Sequence, residues 1–174
     1  PPSTPSQPPL LSLVARAVQA LGLIERMKSA GVRPSSRTFE CAMRVCAKAG
    51  QHQVVGSLWE ELRAEFEKSP PLQPSAFTYN VLMRALAEGG GRSAGPQRDK
   101  ASRQVLIAFD EAMQHGLALD SSGYKHALRA CDFSGQWRKA LNLLKQMREM
   151  GVETDALVYG NVMSACAREG RAQT

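Results

Sequence analysis

Residues 121–155 read SSGYKHALRACDFSGQWRKALNLLKQMREMGVETD, and two helical patterns follow one another in this stretch. Tyr124, Ala127, Leu128 and Cys131 fall at helical spacing, and Gly135 closes the first pattern. Ala140, Leu141, Leu143, Leu144 and Met147 then form a broad apolar stripe over Trp137–Met150, with Gly151 as its stop signal. Two helices of about a dozen residues with a short turn between them make an αα-hairpin. Such a hairpin cannot bury its apolar face alone and must stack on neighbours.

The neighbours are visible in the same chain. An aromatic residue, a residue seven positions on and a glycine eleven positions on recur as Phe39/Cys46/Gly50, Tyr79/Leu86/Gly90, Tyr124/Cys131/Gly135 and Tyr159/Cys166/Gly170. The aromatics are 40, 45 and 35 residues apart, and the glycines keep the same spacings. A period in this range means stacked supersecondary units, here an all-α solenoid of helix-turn-helix repeats. The expected divisions are a Pro/Ser-rich linker at 1–9, a partial repeat with a second helix at 10–35, repeats at 36–75, 76–120 and 121–155, and a partial repeat with a first helix at 156–174. Leu10–Ala30 reads as one helix, with Ala20, Leu21, Leu23, Ile24 and Met27 on its stripe. The unit at 36–75 holds five extra residues, placed near Ser69-Pro-Pro71. The unit at 76–120 holds ten, placed in a loop at Gly89–Pro96 where Gly and Pro are dense.

Composition fits one array. A chain of 174 residues with 43% apolar content can bury a continuous core. No apolar run approaches the roughly 18 residues needed to span a membrane, so no membrane insertion is expected. The start reads equally as a plain linker or as the stub of an organelle transit region, and no targeting segment is visible.

Cys46, Cys131 and Cys166 share one position in their units, which marks a small core residue. Cys41 and Cys46 are five residues apart, about 140° around a helix, a poor geometry for a shared metal. His52, His115 and His126 fall at unrelated places, and no metal site or cofactor is expected. Glu60, Glu61, Glu65 and Glu67 lie beside Arg63 and Lys68 as a solvated face does. No phosphate-binding Gly-rich loop, acid pair or Ser/His/Asp grouping occurs, so neither catalysis nor a small-molecule substrate is expected.

Three positions point to nucleic acid instead. Five residues after each aromatic stand Arg44, Arg84, Arg129 and Ser164, and stacking first helices should align the arginines as a basic stripe for phosphates.

The 121–155 unit, with Phe77-Thr-Tyr-Asn-Val-Leu-Met83 and Val158-Tyr-Gly-Asn-Val-Met-Ser-Ala-Cys166, resembles the pentatricopeptide repeat, from about Ala20 to the C-terminus. The resemblance implies a right-handed α-solenoid that binds single-stranded RNA along its inner groove, about one base per unit, in mitochondria or chloroplasts. It also implies that two residues per unit read the base edge: the one after the aromatic and the last of the unit. Here the pairs are Glu40 with Ser75, Asn80 with Asp120, and Lys125 with Asp155. Asn80/Asp120 is the family's uracil-preferring pair, the other two depart from its usual pairs, and Gly160 offers no side chain. Nine residues after the aromatic the family carries a phosphate-contacting lysine, a role that Lys48 and Arg168 fit and Glu88 and Phe133 do not. Two before the aromatic, Phe77 and Leu157 suit wedging between bases, and Arg37 can stack on one.

Base stacking contributes about 1–3 kcal/mol per unit, and a net charge of +6 is mild, so weak RNA binding is expected of this stretch alone. The alternative is a scaffold subunit of a large organellar assembly, using the solenoid for protein or ribosomal RNA contacts. A third class is the specificity arm of an RNA-processing enzyme whose catalytic domain lies outside these residues.

Overall fold

The computed structural model describes residues 10–68, 74–91 and 95–172. Among them are eight helices: α1 (Leu10–Ser29), α2 (Ser36–Lys48), α3 (His52–Lys68), α4 (Ala76–Gly91), α5 (Pro96–Gln114), α6 (Ser121–Ser134), α7 (Trp137–Glu149) and α8 (Ala156–Ala172). No strand occurs among the described residues. The tract 1–9 and the insertion at Ser69–Pro71 lie outside them. The chain divides into two compact units, Pro1–Gln73 and Pro74–Thr174.

In the first unit α2 packs against both α1 and α3. Its buried face is Phe39, Ala42, Met43 and Cys46, which meets Ala17 and Ile24 of α1 and Val55, Leu58 and Leu62 of α3. Lys28 of α1 also forms an ion pair with Glu61 of α3. Leu23 departs from the expected stripe and is 56% exposed, because Ile24 and Ala17, seven apart, define the face that α2 covers.

In the second unit α4, α6 and α8 contact one another in sequence and form one layer. The other layer is α5, packed on α4 and α6, and α7, packed on α6 and α8. Tyr124 shows why each unit carries an aromatic residue. It is fully buried, meets Phe109 of α5 edge-on with centroids 5.0 Å apart, and donates its hydroxyl to the Met150 sulfur at 3.2 Å. One ring thus joins α6 to the helices before and after it. Phe39 and Tyr79 are equally buried, whereas Tyr159 on α8 is 43% exposed. On α7 the buried residues are Ala140, Leu143 and Met147, while Leu141 flanks them in solvent.

Glycine ends most of the helices as the pattern demands. Gly31, Gly50, Gly116, Gly135 and Gly151 all take φ between 67° and 74°. The amide after each returns to the carbonyl five residues back, as Val32 does to Met27 at 2.9 Å and Gln136 to Cys131 at 2.9 Å. A side chain at these positions is strained, so glycine stands where the chain reverses. Two of the expected stops fail: α4 runs through Gly90 to Gly91, and α8 through Gly170 to Ala172. Ahead of α5, Gly95 takes φ 68° and ψ −138°, and Pro96 opens the helix at the position that lacks an intrahelical partner for its nitrogen. Of the loop expected over Gly89–Pro96, Gly89–Gly91 continue α4 and Pro96 opens α5, which at 19 residues takes up part of the extra length, while residues 92–94 lie outside the described residues.

Candidate nucleic-acid interface

The last residue of every unit caps the first helix of the next. Ser35 forms a capping box with Thr38, and Ser75 repeats it with Thr78. Asp120 accepts from the Gly123 amide and Asp155 from the Val158 amide, both at 3.0 Å. Each cap satisfies an amide that the helix leaves unpaired and holds the unit's final side chain at the start of α2, α4, α6 or α8. Sequence alone carried this signal, Ser or Asp four residues before each aromatic, although those residues were read there only for base contact.

Capping brings the proposed base-edge partners together in the second unit. Lys125 and Asp155 form an ion pair at 2.7 Å, with Asp155 Oδ1 on its cap and Oδ2 on the lysine. The Lys125 hydrogen bond, and after it the Val158 amide, hold the Asp155 carboxyl below its ordinary value of 3.8. This pair is closed on itself. Asn80 and Asp120 instead converge on Gly123: its amide donates to Asp120, and a Cβ built on it would lie 2.5 Å from Asn80 Oδ1. That oxygen is buried and has no hydrogen-bond partner. The carboxamide keeps one end against α6, and no internal bond opposes its turning over to meet a ligand. Glu40 is half-buried on α2 of the first unit, and Ser75 is half-buried ahead of α4. A Cβ at Gly160 would meet open space.

Two residues before the aromatics, Phe77 is 46% and Leu157 59% exposed, large apolar side chains standing out from α4 and α8. Arg37 is exposed on α2, and Ser122 on α6 contacts His126 at 3.5 Å.

The arginine stripe is not uniformly bare. Arg84 pairs with Glu88 at 2.8 Å along α4, and Arg168 of α8 pairs with Asp132 of α6 at 2.7 Å. Arg44 and Lys48 are exposed on α2, and Arg129 is exposed on α6. Arg129 lies over the Phe133 ring at 5.3 Å from its centroid. Within the second unit both Arg84 and Arg129 act electrostatically on His126 of α6, which marks them as neighbours. Sequence reasoning thus passed over Gly123 and Asp132, and weighed His126 and Phe133 only to set them aside as metal ligand and phosphate contact.

Burial is the largest influence on His126 and holds its imidazole below the ordinary 6.5. Arg84 and Arg129 push the same way, and Glu88 and Asp120 oppose them. The unfolded chain therefore takes up this proton first as pH falls. His126 stabilisation is complete above about pH 6.5 and declines as pH drops through that value. Urea unfolding should show this loss as pH falls below about 6.5, and His126→Gln should flatten it. Asp155 titrates below 3.8, in a separate window. An unchanged slope in the variant would assign the effect to another group.

The buried cysteines are inert core. Burial raises the Cys46 thiol and pushes Cys131 up to about 12. Among the described residues no group of three His, Cys, Asp or Glu side chains could hold a metal ion, and no helix is long and apolar enough to cross a membrane.

A model of the pentatricopeptide repeat domain matches residues 108–169, from the end of α5 into α8. Pentatricopeptide repeat-containing protein 10, chloroplastic, of Zea mays is 27% identical over 156 residues, 87% of this chain. The chain is similar to pentatricopeptide repeat proteins. A mitochondrial pentatricopeptide repeat-containing protein of Arabidopsis thaliana is 26% identical over 180 residues, 89% of this chain. The crystal structure of the pentatricopeptide repeat protein PPR10 in complex with an 18-nt psaJ RNA element superposes with a TM-score of 0.60 at 17% identity, over 88% of this chain, a likeness of fold. The chain spans 17% and 28% of the two curated relatives and 21% of the solved chain. The unit divisions expected from the sequence make α4, α6 and α8 first helices and α5 and α7 second helices.

Proposed function

We propose that this stretch binds single-stranded RNA through its first helices, without catalysis, in the RNA metabolism of a mitochondrion or chloroplast. The observation that carries the reading is Asn80: a buried amide oxygen without a partner, beside Asp120 and on the same helix as the exposed ring of Phe77. An orphaned acceptor of this kind costs about 1–3 kcal/mol unless a ligand supplies the donor. The imino N–H of uracil is such a donor, and Phe77 offers the face on which a base can stack. Asn80/Asp120 is then the selective pair and Lys125/Asp155 the silent one. The RNA element bound by PPR10 favours this reading over the scaffold alternative, and the relatives named chloroplastic and mitochondrial support the compartment.

Fluorescence anisotropy with a short oligouridylate tests it. Binding should be weak, and Phe77→Ser should weaken it by about 1 kcal/mol, roughly fivefold, the low end of a stacking contribution because the ring is half-buried already. Absence of binding by the unmodified chain would overturn the proposal.

A further inference from the structure

Three guanidinium groups from three helices converge on one ring. Arg98 of α5, Arg129 of α6 and Arg168 of α8 lie 4.8, 5.3 and 5.8 Å from the Phe133 centroid. Three like charges thus share one patch around that ring, and their mutual repulsion is unfavourable unless an anion joins them. The ring face attracts each cation but cannot neutralise it. The nearby carboxylate, Asp132, is committed: Oδ1 receives Arg168 at 2.7 Å and the Ser164 hydroxyl at 2.8 Å. Among the described residues neither Arg98 nor Arg129 has a carboxylate within ion-pair range.

Arg98 is placed against its own stability. It sits at the third position of α5, where the helix dipole disfavours a positive charge, behind a Gly95 cap that makes no side-chain bond. Its Nε is buried without a hydrogen-bond partner. Arg98, Ser102, His126, Arg129 and Phe133 line a cavity of about 10 Å³, room for one water, so a larger anion would sit at its mouth. His126, held neutral by burial, brings no compensating charge.

We propose that Arg98, Arg129 and Arg168, gathered on Phe133, form a binding site for a phosphate group. Resting on the RNA reading above, the group is a backbone phosphodiester. Guanidinium forks suit phosphate oxygens, and the anion supplies the charge that the protein leaves out. Arg98, on a second helix, thereby joins first-helix arginines in holding the strand.

Arg98→Gln and Arg103→Gln each remove one positive charge from α5, and Arg103 is exposed away from Phe133. For oligouridylate binding, the slope of log Kobs against log [KCl] should become shallower by about 0.7 in Arg98→Gln and stay unchanged in Arg103→Gln. Melting temperature should hold or rise in Arg98→Gln, since the helix end is relieved of a cation. Equal slopes in the two variants would overturn the site while leaving RNA binding intact. If the unmodified chain binds no oligonucleotide, the RNA reading fails and pyrophosphate decides. Phosphorus NMR broadening by the unmodified chain that Arg98→Gln abolishes would then assign the site to free phosphates. Absence of broadening would overturn it.

Discussion

Tyr124→Ala should lower the unfolding free energy by about 3–5 kcal/mol, the range for removing a fully buried aromatic side chain. The residue is 0% exposed, so truncation leaves a cavity bounded by α5, α6 and the end of α7, and removes the edge-on contact with Phe109. Tyr124→Phe keeps the ring and loses only the hydroxyl bond to Met150, a change of about 1 kcal/mol or less. The equivalent substitution on α8, Tyr159→Ala, should cost no more than about 1 kcal/mol, because that ring is 43% exposed. Urea denaturation of the three variants checks the ranking. Comparable losses at positions 124 and 159 would mean that the aromatic acts through something other than burial.

Gly123→Ala should leave stability nearly unchanged and reduce uracil preference about tenfold, the scale of one hydrogen bond. Gly123 lies inside α6, where alanine is the better helix former by about 1 kcal/mol. The added methyl would meet Asn80 Oδ1 at 2.5 Å, with the Leu119 Cβ and Met83 Cε at 3.3 Å. Oδ1 and Cε end flexible side chains and can swing aside, which offsets the helix gain without breaking the fold. What moves is the carboxamide proposed to read the base. Competition between oligouridylate and oligocytidylate measures the preference, and combining Gly123→Ala with Asn80→Ala should add nothing further. A variant that still prefers uridine to the same degree would remove Asn80 from base reading.

Periodicity made the repeat legible before any coordinates, because a buried aromatic and a left-handed glycine each satisfy a local demand that recurs with the hairpin. Phe39, Tyr79 and Tyr124 are core, and Gly31, Gly50, Gly135 and Gly151 turn the chain where their spacing says. Gly90 and Gly170 show the limit of that logic, since a glycine ends a helix only when the chain must reverse beside it. The charges were legible as positions but not as partners. Glu88 follows Arg84 by one helical turn and was within reach of sequence reasoning. The Phe133 cluster was not, since Arg98 and Arg168 come from helices on either side of α6 and meet only through packing.

The capping role of the unit-final residues limits how those positions can vary. Ser35, Ser75, Asp120 and Asp155 each tie down a helix start, so replacement by anything other than Ser, Thr, Asn, Asp or Gly forfeits about 1 kcal/mol at that junction. Variation at these sites is therefore confined to a five-letter vocabulary, while the position after the aromatic is free of that restriction and can vary more widely.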